Sequence, residues 1–351
     1  MNDLKRIAGD IGAPASVFEV GFMGNLRLSV AVGDYDRTRP LVDGEVQIDG
    51  VEAVCLRLSP EEIFFRAFRT QDFDICELSM SSTVVKIANG DCPYVPIPVF
   101  PSRAFRHTSI YINTSKNIGR PEDLRGKRIG LGEYQLTANV WARALFEDEY
   151  GVKPSEIEWV RGGIEELGRI EKISVALPPD IRITPAPADK TLSQMLADGE
   201  IDALIGPRMP SSFNGDGRVS WLFEDPTAAA EDYFRRTGVF PIMHIVGIRR
   251  ELVDANPWLP ASVQKAFEAS KAACMRKLSD TSATKVTLPF VEEQLQRARK
   301  LLGADFWSYG VEANRKVLET FLDHHYRQGL SSRRVSVDEL FHPSTLAAAK
   351  I

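Results

Sequence analysis

Short apolar runs alternate with amphipathic stretches along the first hundred residues. The run LRLSVAV at Leu26–Val32 predicts a buried strand, and the turn-forming residues that follow end it. A second apolar run at residues 51–58 leads into SPEE at residues 59–62, where a serine, an early proline and two acids are typical of a helix start. Another apolar run at residues 73–78 leads into the serines at 79–82. This alternation predicts a mostly parallel sheet with covered faces.

The same order of elements returns in the middle of the chain. KRIGLG, which begins at Lys127, predicts a strand, and residues 136–150 place apolar side chains at helical spacing. The segments FRTQDFDICELS and LADGEIDALIGP both run from a helix through an acidic turn into an apolar strand. Asp74 and Asp202 therefore occupy equivalent positions in a weak internal repeat, which predicts two lobes built alike.

Two extended segments separate these units and predict a hinge of two crossings, near residues 103–112 and 238–248. The first lobe is then discontinuous, with residues 1–107 and 245–351, and the second lobe covers residues 113–240. A chain of 351 residues exceeds the usual size of one hydrophobic core, which also favours two lobes. We expect the ligand cleft between the lobes, at the carboxyl ends of the parallel strands.

Charge and composition narrow the class of ligand. A net charge of -5 and a pI of about 5.7 provide no basic surface for nucleic acid or an anionic membrane, so a small molecule is favoured. No apolar run is long enough to span a bilayer, and the start of the chain carries charges where a secretory signal needs an apolar core, so we expect a cytoplasmic protein. The four cysteines form no CxxC pair, which favours buried structural thiols. The sequence leaves homo-oligomer formation open.

A family resemblance spans nearly the whole chain. Its strongest stretch is RHTSIYINTSKNIGRPEDLRGKRIGLGEYQLTANVWARALFEDEYGVKPSEIEWVRGG, with further matches in TLSQMLADGEIDALIGPR, RRTGVFPIMHIVGIRRELVDANPWLP and FWSYGVEANRKVLETFL. These segments resemble the 4,5-dihydroxyphthalate decarboxylase family, and PEDLRGKRIG and GEIDALIG more broadly resemble solute-binding proteins of the type II periplasmic fold. The resemblance implies an α/β, two-lobed type II periplasmic-binding-protein-like fold. It also implies a carboxy-lyase that converts 4,5-dihydroxyphthalate to protocatechuate and CO2.

Loss of CO2 from an aromatic acid leaves an electron pair on a ring carbon. The sequence has no convincing pyridoxal, thiamine or flavin motif that would accept this pair, so we expect no cofactor and a substrate that is its own electron sink. In 4,5-dihydroxyphthalate each carboxylate is para to a hydroxyl group, and ionising that phenol pushes electron density toward the carbon that loses CO2. The protein then needs a base, an acid and cations for the carboxylate that remains.

Three residues are candidates for acid and base catalysis. His107 and His244 each lie in one predicted crossing, near the cleft floor, and imidazole titrates near neutral pH; the alternative is a buried histidine bonded to backbone. Glu133 follows a strand, so its carboxylate would project into the cleft, with a charge that merely suits the helix dipole as the alternative. A catechol could chelate a metal ion held by these three residues, but their spacing matches no familiar pattern, so no metal site is assigned. His324 and His325 are expected on a solvated helix face.

Substrate binding is expected where two helices begin at the cleft. Free N–H groups and the positive end of the helix dipole suit one carboxylate each, which fits a dicarboxylic ligand. Ordinary N-capping is the alternative, and capping and binding can coexist. The residues concerned are Ser81 and Ser82 in the first lobe and Tyr134, Gln135 and Thr137 in the second.

Arginines are the expected partners of the substrate carboxylates. Arg208, directly after a strand, and Arg103, in the first crossing, are candidates for bidentate carboxylate binding. Arg106 precedes His107 in an extended segment, so the two side chains should face opposite sides and one of them should reach the ligand.

A second class of function stays open at this point. The chain could be a solute-binding or sensing protein that closes on a small aromatic or carboxylic acid without changing it, and the fold alone does not choose between the two. An enzyme that makes a cofactor precursor on the same fold would want a cysteine-rich or substrate-lysine site, and the sequence shows no clear one. The decarboxylase is the leading hypothesis because of the long family resemblance and the titratable candidates.

Overall fold

The computed structural model describes residues 25–169 and 171–347. Within these residues eleven strands form two sheets with helices packed against them. The strands, in chain order, are β1 (Leu26–Val32), β2 (Val51–Arg57), β3 (Ile75–Ser79), β4 (Tyr94–Arg103), β5 (Ile110–Asn113), β6 (Arg128–Leu131), β7 (Glu158–Arg161), β8 (Arg182–Pro185), β9 (Ala203–Ile205), β10 (Val219–Trp221) and β11 (Ile242–Arg249).

The helices predicted to begin near residues 59, 79 and 136 are present, at Pro60–Arg69, Met80–Asn89 and Thr137–Tyr150. Ser59 begins one of them by accepting a hydrogen bond on its hydroxyl from the Glu62 N–H (3.3 Å), which satisfies an orphan donor of the first turn. The α-helices are α1 (Arg39–Val42), α2 (Pro60–Arg69), α3 (Met80–Asn89), α4 (Thr137–Tyr150), α5 (Leu192–Ala197), α6 (Pro226–Thr237), α7 (Arg250–Ala255), α8 (Leu259–Leu278), α9 (Val291–Leu302), α10 (Arg315–Arg327) and α11 (Val337–Leu340).

The first sheet has the strand order β2-β1-β3-β11-β4. Strand β1 pairs in parallel with β2 and β3, and β11 is inserted antiparallel between β3 and β4. Every residue of β3 is buried, because helices cover the sheet on both faces. We call the part of the protein built on this sheet the first lobe.

The second sheet has the order β10-β5-β9-β6-β7-β8. Strands β9, β6, β7 and β8 run parallel, and β5 runs antiparallel to β9 and β10. We call the part built on this sheet the second lobe. Each sheet thus takes in one antiparallel strand, β11 or β5, at the point where the chain enters that lobe.

The chain passes between the sheets twice. The first crossing joins β4 to β5 and the second joins α6 to β11, and the two lie side by side because the Ala104 N–H donates to the Pro241 carbonyl (3.1 Å). Two adjacent crossings are therefore present, and their action as a hinge stays a prediction. The exact lobe boundaries stay a prediction, and residues 1–24 and 348–351 of the predicted first lobe lie outside the described residues.

The predicted internal repeat is visible as an equivalent hydrogen bond in each lobe. Asp74 precedes β3 and accepts from the Ser29 N–H of the adjacent strand β1 (2.8 Å). Asp202 precedes β9 and accepts from the Arg128 N–H at the start of the adjacent strand β6 (2.8 Å). The two acids therefore join neighbouring parallel strands in the same way in both lobes.

The C-terminal helices return to the first lobe, and two of them, α9 and α10, also contact the second. Helix α8 packs on α1 and β4 of the first lobe, whereas α10 packs on α4 of the second. The Arg143 Nε of α4 donates to Gln328 Oε1 (2.8 Å), and the Gln328 amide donates to the Val140 carbonyl (3.1 Å). Trp141 of α4 donates from its indole to the Ile242 carbonyl (2.8 Å). These buried contacts join the lobes along one side.

Two further expectations concern the cysteines and the membrane. Cys76, Cys92 and Cys274 are buried and Cys55 is half-buried, and all four are free thiols. Burial raises the pKa of the Cys92 thiol, which suits a structural role. Among the described residues, no helix is both long enough and apolar enough to cross a membrane.

Candidate active site

The cleft lies where strands of both sheets end. A cavity of about 280 Å³, which we call the histidine cavity, lies between the lobes and is near the lower end of the roughly 300–1,000 Å³ of small-molecule sites. A second cavity of about 380 Å³, the loop cavity, adjoins it and shares Glu61, Leu136, Lys172, Pro207 and Arg208 with it. The histidine cavity is lined by Tyr35, Pro60, Glu61, Phe64, Ser79, Ser102, Arg106, Leu136, Thr137, Ala138, Lys172, Pro207, Arg208, Met243 and His244.

A buried carboxylate holds the histidine of this cavity. Glu77 lies within β3 and is completely buried. Its carboxylate accepts hydrogen bonds from the Gly33 N–H (2.9 Å) and the Tyr35 hydroxyl (2.8 Å), and it bonds to His244 Nδ1 (2.5 Å). The three partners follow β1 or lie in β11, on either side of β3. Hydrogen bonds from groups that follow or lie in the two neighbouring strands therefore compensate the free-energy cost of burying this carboxylate.

The protonation of this group follows from its surroundings. Burial by itself would raise the pKa of Glu77, but the hydrogen bond and charge of His244, with the bonds from Gly33 and Tyr35, hold that pKa below its ordinary value. Burial and the neighbouring Glu77 charge raise the pKa of Tyr35 far above its ordinary value, so Tyr35 remains a hydrogen-bond donor. Because an ionised carboxylate only accepts, His244 Nδ1 carries the proton in this bond.

The remaining ring nitrogen of His244 is available to a ligand. The ring packs edge-on against Phe64, with centroids 4.7 Å apart and planes at 79°. Within residues 25–169 and 171–347, Nε2 makes no hydrogen bond, and the side chain lines the histidine cavity. Nε2 can therefore take a proton from a bound molecule or deliver one to it.

Arg106 brings a positive charge to the same cavity. The residue is only 7% exposed, and burial lowers the pKa of its guanidinium to about 10. Its Nε donates to the Ala104 carbonyl (3.3 Å), and no carboxylate of the described residues pairs with it. The guanidinium is thus a buried cation without a counter-ion, lining a cavity that a ligand could enter.

His107 does not join this group, which corrects the expectation that both crossing histidines reach the cleft floor. It begins the 3₁₀ turn His107–Ser109, which rotates its ring into an aromatic cluster with Phe105, Phe223 and Tyr233. Its Nδ1 has no partner among the described residues. Burial, with a smaller effect of the Arg236 charge, lowers the pKa of His107 to about 4, so the ring is neutral near pH 7.

The two arginines expected to bind carboxylates have other partners. Arg103 donates to the carbonyls of Phe240 (3.1 Å) and Ser308 (2.7 Å) and also bonds to Asn314, so it ties the crossings to the C-terminal segment. It does not line either cavity. Arg208 does line both cavities, but its side chain is 69% exposed and pairs with Glu61 of α2 across the cleft (3.2 Å).

Glu133 lies in the cleft as expected, but its carboxylate is occupied. It is fully buried and accepts from Arg169 Nη2 (2.7 Å), Lys172 Nζ (2.8 Å) and the Gln135 amide (3.0 Å). Arg169 also pairs with Glu61 (2.9 Å), so the segment that carries Arg169 and Lys172 reaches from the second lobe to the first. Glu133 therefore holds two cations in place and has no free oxygen suited to removing a proton.

The two expected helix starts do meet at the cleft. Ser79 Oγ and Thr137 Oγ1 are 3.1 Å apart, and both residues line the histidine cavity. The Ser81 N–H is already used by Thr137 Oγ1 (3.0 Å), and the Ser82 N–H by Ser79 Oγ (3.5 Å). Of the residues expected to bind substrate at these two helices, Thr137 is the one that lines the histidine cavity.

The other candidates near these helices are buried in the protein. Tyr134 packs against Trp159 and under the Arg143 guanidinium, and Gln135 also donates to the Ile173 carbonyl (3.0 Å).

The expectation of a solvated helix face for His324 and His325 is wrong, since these side chains belong to residues that are 2% and 0% exposed. His324 Nε2 lies 2.6 Å from an Asp148 oxygen, and His325 Nε2 lies 3.0 Å from Ser81 Oγ. Both rings pack where α10 crosses to α4 and α3.

The described residues contain no cluster of three or more histidines, cysteines and acids arranged as metal ligands. His107, His244 and Glu133, the three residues that could together have bound a cation, have separate partners.

Comparison with known proteins shows the family of this chain. No protein-family model matches the chain. A protein of Comamonas testosteroni named 4,5-dihydroxyphthalate decarboxylase is 58% identical over 330 residues, which cover 94% of this chain and 100% of the relative. This chain belongs to the 4,5-dihydroxyphthalate decarboxylase family. A protein of the same name from Pseudomonas putida is 60% identical over 214 residues, 61% of this chain and 83% of that one.

Solved structures show the fold of this decarboxylase family member. The periplasmic aliphatic sulphonate binding protein SsuA of Escherichia coli matches with a TM-score of 0.50 and 14% identity, over 93% of this chain and 95% of that chain. The alkanesulfonate-binding protein SsuA of Xanthomonas axonopodis, bound to MOPS, matches with a TM-score of 0.51 and 13% identity, over 91% and 98%. A sulfonate-binding SsuA of Methylobacillus flagellatus gives 0.53 and 13%, over 92% and 93%. The predicted two-lobed type II fold is confirmed.

Four residues of the decarboxylase cleft are not predicted from the sequence as site residues. Glu77 carried a signal, since an acid within the apolar run FDICELS is costly to bury unless it has partners. Arg106 was weighed only as the alternative to His107. Tyr35 and Lys172 lie in segments without periodic patterning, and their positions depend on contacts distant in sequence.

Proposed function

We propose that this chain removes one carboxylate from 4,5-dihydroxyphthalate in the histidine cavity and releases protocatechuate and CO2. The observation that carries the proposal is the imidazole of His244, held by a buried carboxylate in the cleft of a chain 58% identical to a 4,5-dihydroxyphthalate decarboxylase over that relative's full length. A small aromatic acid is the ligand class that the cavity would take.

The bound substrate reacts as its own electron sink. With the phenol para to the departing carboxylate ionised, the phenolate electron pair moves into the ring, and the carbon that bears the carboxylate takes a proton from His244 Nε2. The bond from that carbon to the carboxylate then breaks, its electron pair restores the aromatic ring and the phenolate, and CO2 leaves. One proton is consumed in each turnover, and His244 regains it from solvent.

Glu77 supports this proton transfer without touching the substrate. Its carboxylate keeps the proton on His244 Nδ1 and stabilises the imidazolium that must form before Nε2 can donate. Tyr35 and the Gly33 N–H hold the carboxylate itself. The geometry follows the general logic of a base oriented by a third group, with the difference that the proton moves to carbon.

The phenolate requires positive charge, and two residues are placed to supply it. Lys172 and Arg208 line the histidine cavity, and each is paired with one carboxylate, Glu133 or Glu61. We assign Glu133 to positioning Lys172, because its oxygens are occupied by cations. Charges held in place before the reaction stabilise a developing anion at little reorganisation cost.

The decisive experiment compares the two histidines that the crossings carry. Purified protein is incubated with 4,5-dihydroxyphthalate while CO2 and protocatechuate are measured, and His244→Gln and His107→Gln are tested beside it. We expect His244→Gln to lower turnover by about 10² to 10⁴ while substrate affinity stays within a few fold. His107→Gln should keep turnover near the parental value, because His107 is buried outside the cavity.

Two outcomes would contradict the proposal. A parental protein that binds 4,5-dihydroxyphthalate, as judged by calorimetry, but releases no CO2 would be a binding protein rather than a decarboxylase. A His244→Gln variant with parental turnover would remove the proposed proton donor.

A further inference from the structure

The buried cations of the cleft region differ in how their charge is compensated. Lys172 has the carboxylate of Glu133, and Arg103 has carbonyl and amide oxygens around its fork. Arg143 is enclosed by Tyr134 and Gln328 away from both cavities. Arg106 alone among these four lines the histidine cavity without an acid or amide partner in the described residues.

A buried guanidinium in this condition is costly. It is 93% removed from solvent, since 7% of the residue is exposed, and one backbone carbonyl accepts from its Nε. Buried charges in folded proteins are normally paired, because removing an isolated ion from water is unfavourable. The terminal N–H groups of Arg106 are therefore suited to binding an anion, and the planar guanidinium matches the geometry of a carboxylate.

We propose that Arg106 binds the carboxylate that stays on the ring. This inference rests on the proposed function and specifies it: the two carboxylates of 4,5-dihydroxyphthalate are equivalent in the free molecule and become different in the cavity. The carboxylate bound at Arg106 is retained, and its ortho neighbour, presented to His244, is lost as CO2.

Arg106 then determines which acids react and how far the reaction goes. A substrate needs two adjacent carboxylates, one to anchor and one to lose. Protocatechuate keeps the anchoring carboxylate, so it binds at Arg106 with that group away from His244, and it is not decarboxylated a second time to catechol. The product should accordingly be a competitive inhibitor whose affinity depends on Arg106.

The test measures binding of three ligands to three proteins. Protocatechuate, phthalate and catechol are titrated calorimetrically into the parental protein, Arg106→Gln and Arg106→Lys. Loss of a charge-assisted hydrogen-bonded pair corresponds to a weakening of about 10- to 150-fold. We expect that loss in Arg106→Gln for protocatechuate and phthalate, a partial rescue by lysine, and no change for catechol, which lacks a carboxylate. Arg182→Gln, an exposed arginine paired with Glu158, is the matched control.

The results distinguish a failure of the Arg106 proposal from a failure of the proposed decarboxylase function. Unchanged affinity of Arg106→Gln for protocatechuate overturns the inference, and so does an equal loss of catechol affinity, which would indicate a general structural role. If the parental protein releases no CO2 but its affinity for the two acids depends on Arg106, the anchoring site stands and the decarboxylase function fails. Circular dichroism and thermal unfolding of each variant confirm that the fold is kept.

Discussion

Replacing Glu77 with glutamine tests how the histidine is controlled. The carboxylate accepts hydrogen bonds from Gly33, Tyr35 and His244, whereas a glutamine amide has one accepting oxygen and one donating nitrogen. At least one of the three donors will then face another donor. Leaving a buried donor unsatisfied costs about 1–3 kcal/mol, and each remaining bond loses about 1 kcal/mol with its charge.

Part of this loss is offset, because a neutral amide is easier to bury than a carboxylate. We therefore expect Glu77→Gln to lower the free energy of unfolding by about 2–3 kcal/mol at pH 7 and to lower turnover by about 10² to 10⁴. Urea unfolding and CO2 release measure the two effects. Glu158→Gln, an exposed glutamate of the second lobe, is the control and should change neither.

The pH dependence of the same variant provides a second check. The pKa of Glu77 is lower in the folded protein than the roughly 4.3 of an unfolded glutamate, so its stabilisation is complete above that pH and is lost as the pH falls further. The stability difference between the parental protein and Glu77→Gln should narrow below about pH 4.3. A difference that stays constant with pH would contradict the ionised state of this carboxylate.

A double variant tests whether Glu77 acts through His244. If it does, Glu77→Gln combined with His244→Gln should turn over no more slowly than His244→Gln alone, because the second change removes a partner that no longer functions. Losses that multiply would show that Glu77 contributes independently of the histidine. Parental turnover in a folded Glu77→Gln would refute the reasoning altogether.

Two further predictions concern buried charge elsewhere. His107→Phe should flatten the acid dependence of stability: the pKa of His107 is about 4 when folded and about 6.5 when unfolded, so the parental protein loses about 3 kcal/mol as the pH falls through this window, measured by urea midpoints at pH 7 and 4. Glu133→Gln should cost about 3 kcal/mol of unfolding free energy, because it strands Lys172 without its counter-ion, and adding Lys172→Met should recover part of that loss. A double variant less stable than Glu133→Gln would contradict the pairing.

Much of the fold could be predicted because its elements are strongly patterned. Leu26–Val32 has the predicted bounds, and the helix predicted at residues 136–150 is present as Thr137–Tyr150, since an uninterrupted apolar run and a long periodic stretch are clear signals. The strand Arg182–Pro185 was missed, because it is a mostly exposed edge strand in a polar, proline-rich stretch. The helix Pro226–Thr237 was also missed, although Asp225 caps it and a proline follows the cap.

The sequence predicts the positions of site residues only where the order of strands and crossings determines them. His244 was correctly placed in the cleft because a crossing strand had to pass there, and its catalytic role stays a prediction. The choice between Arg106 and His107 depended on a 3₁₀ turn that alternation along an extended chain does not foresee. For Glu133, position was predictable, but the two cations that occupy it come from a segment more than thirty residues later.

The contact between α10 and α4 has a consequence for how molecules enter and leave. Proteins of this architecture that bind solutes commonly rotate their lobes about the crossings to open and close. Here such a rotation would separate Arg143 from Gln328 and strip buried groups of their partners, at about 1–3 kcal/mol for each group. Displacing Arg169 and Lys172 would be costly as well, because Lys172 and Glu133 form a fully buried ion pair. Either route breaks buried contacts, so this cleft would exchange its ligand with solvent more slowly than a cleft closed only by exposed groups.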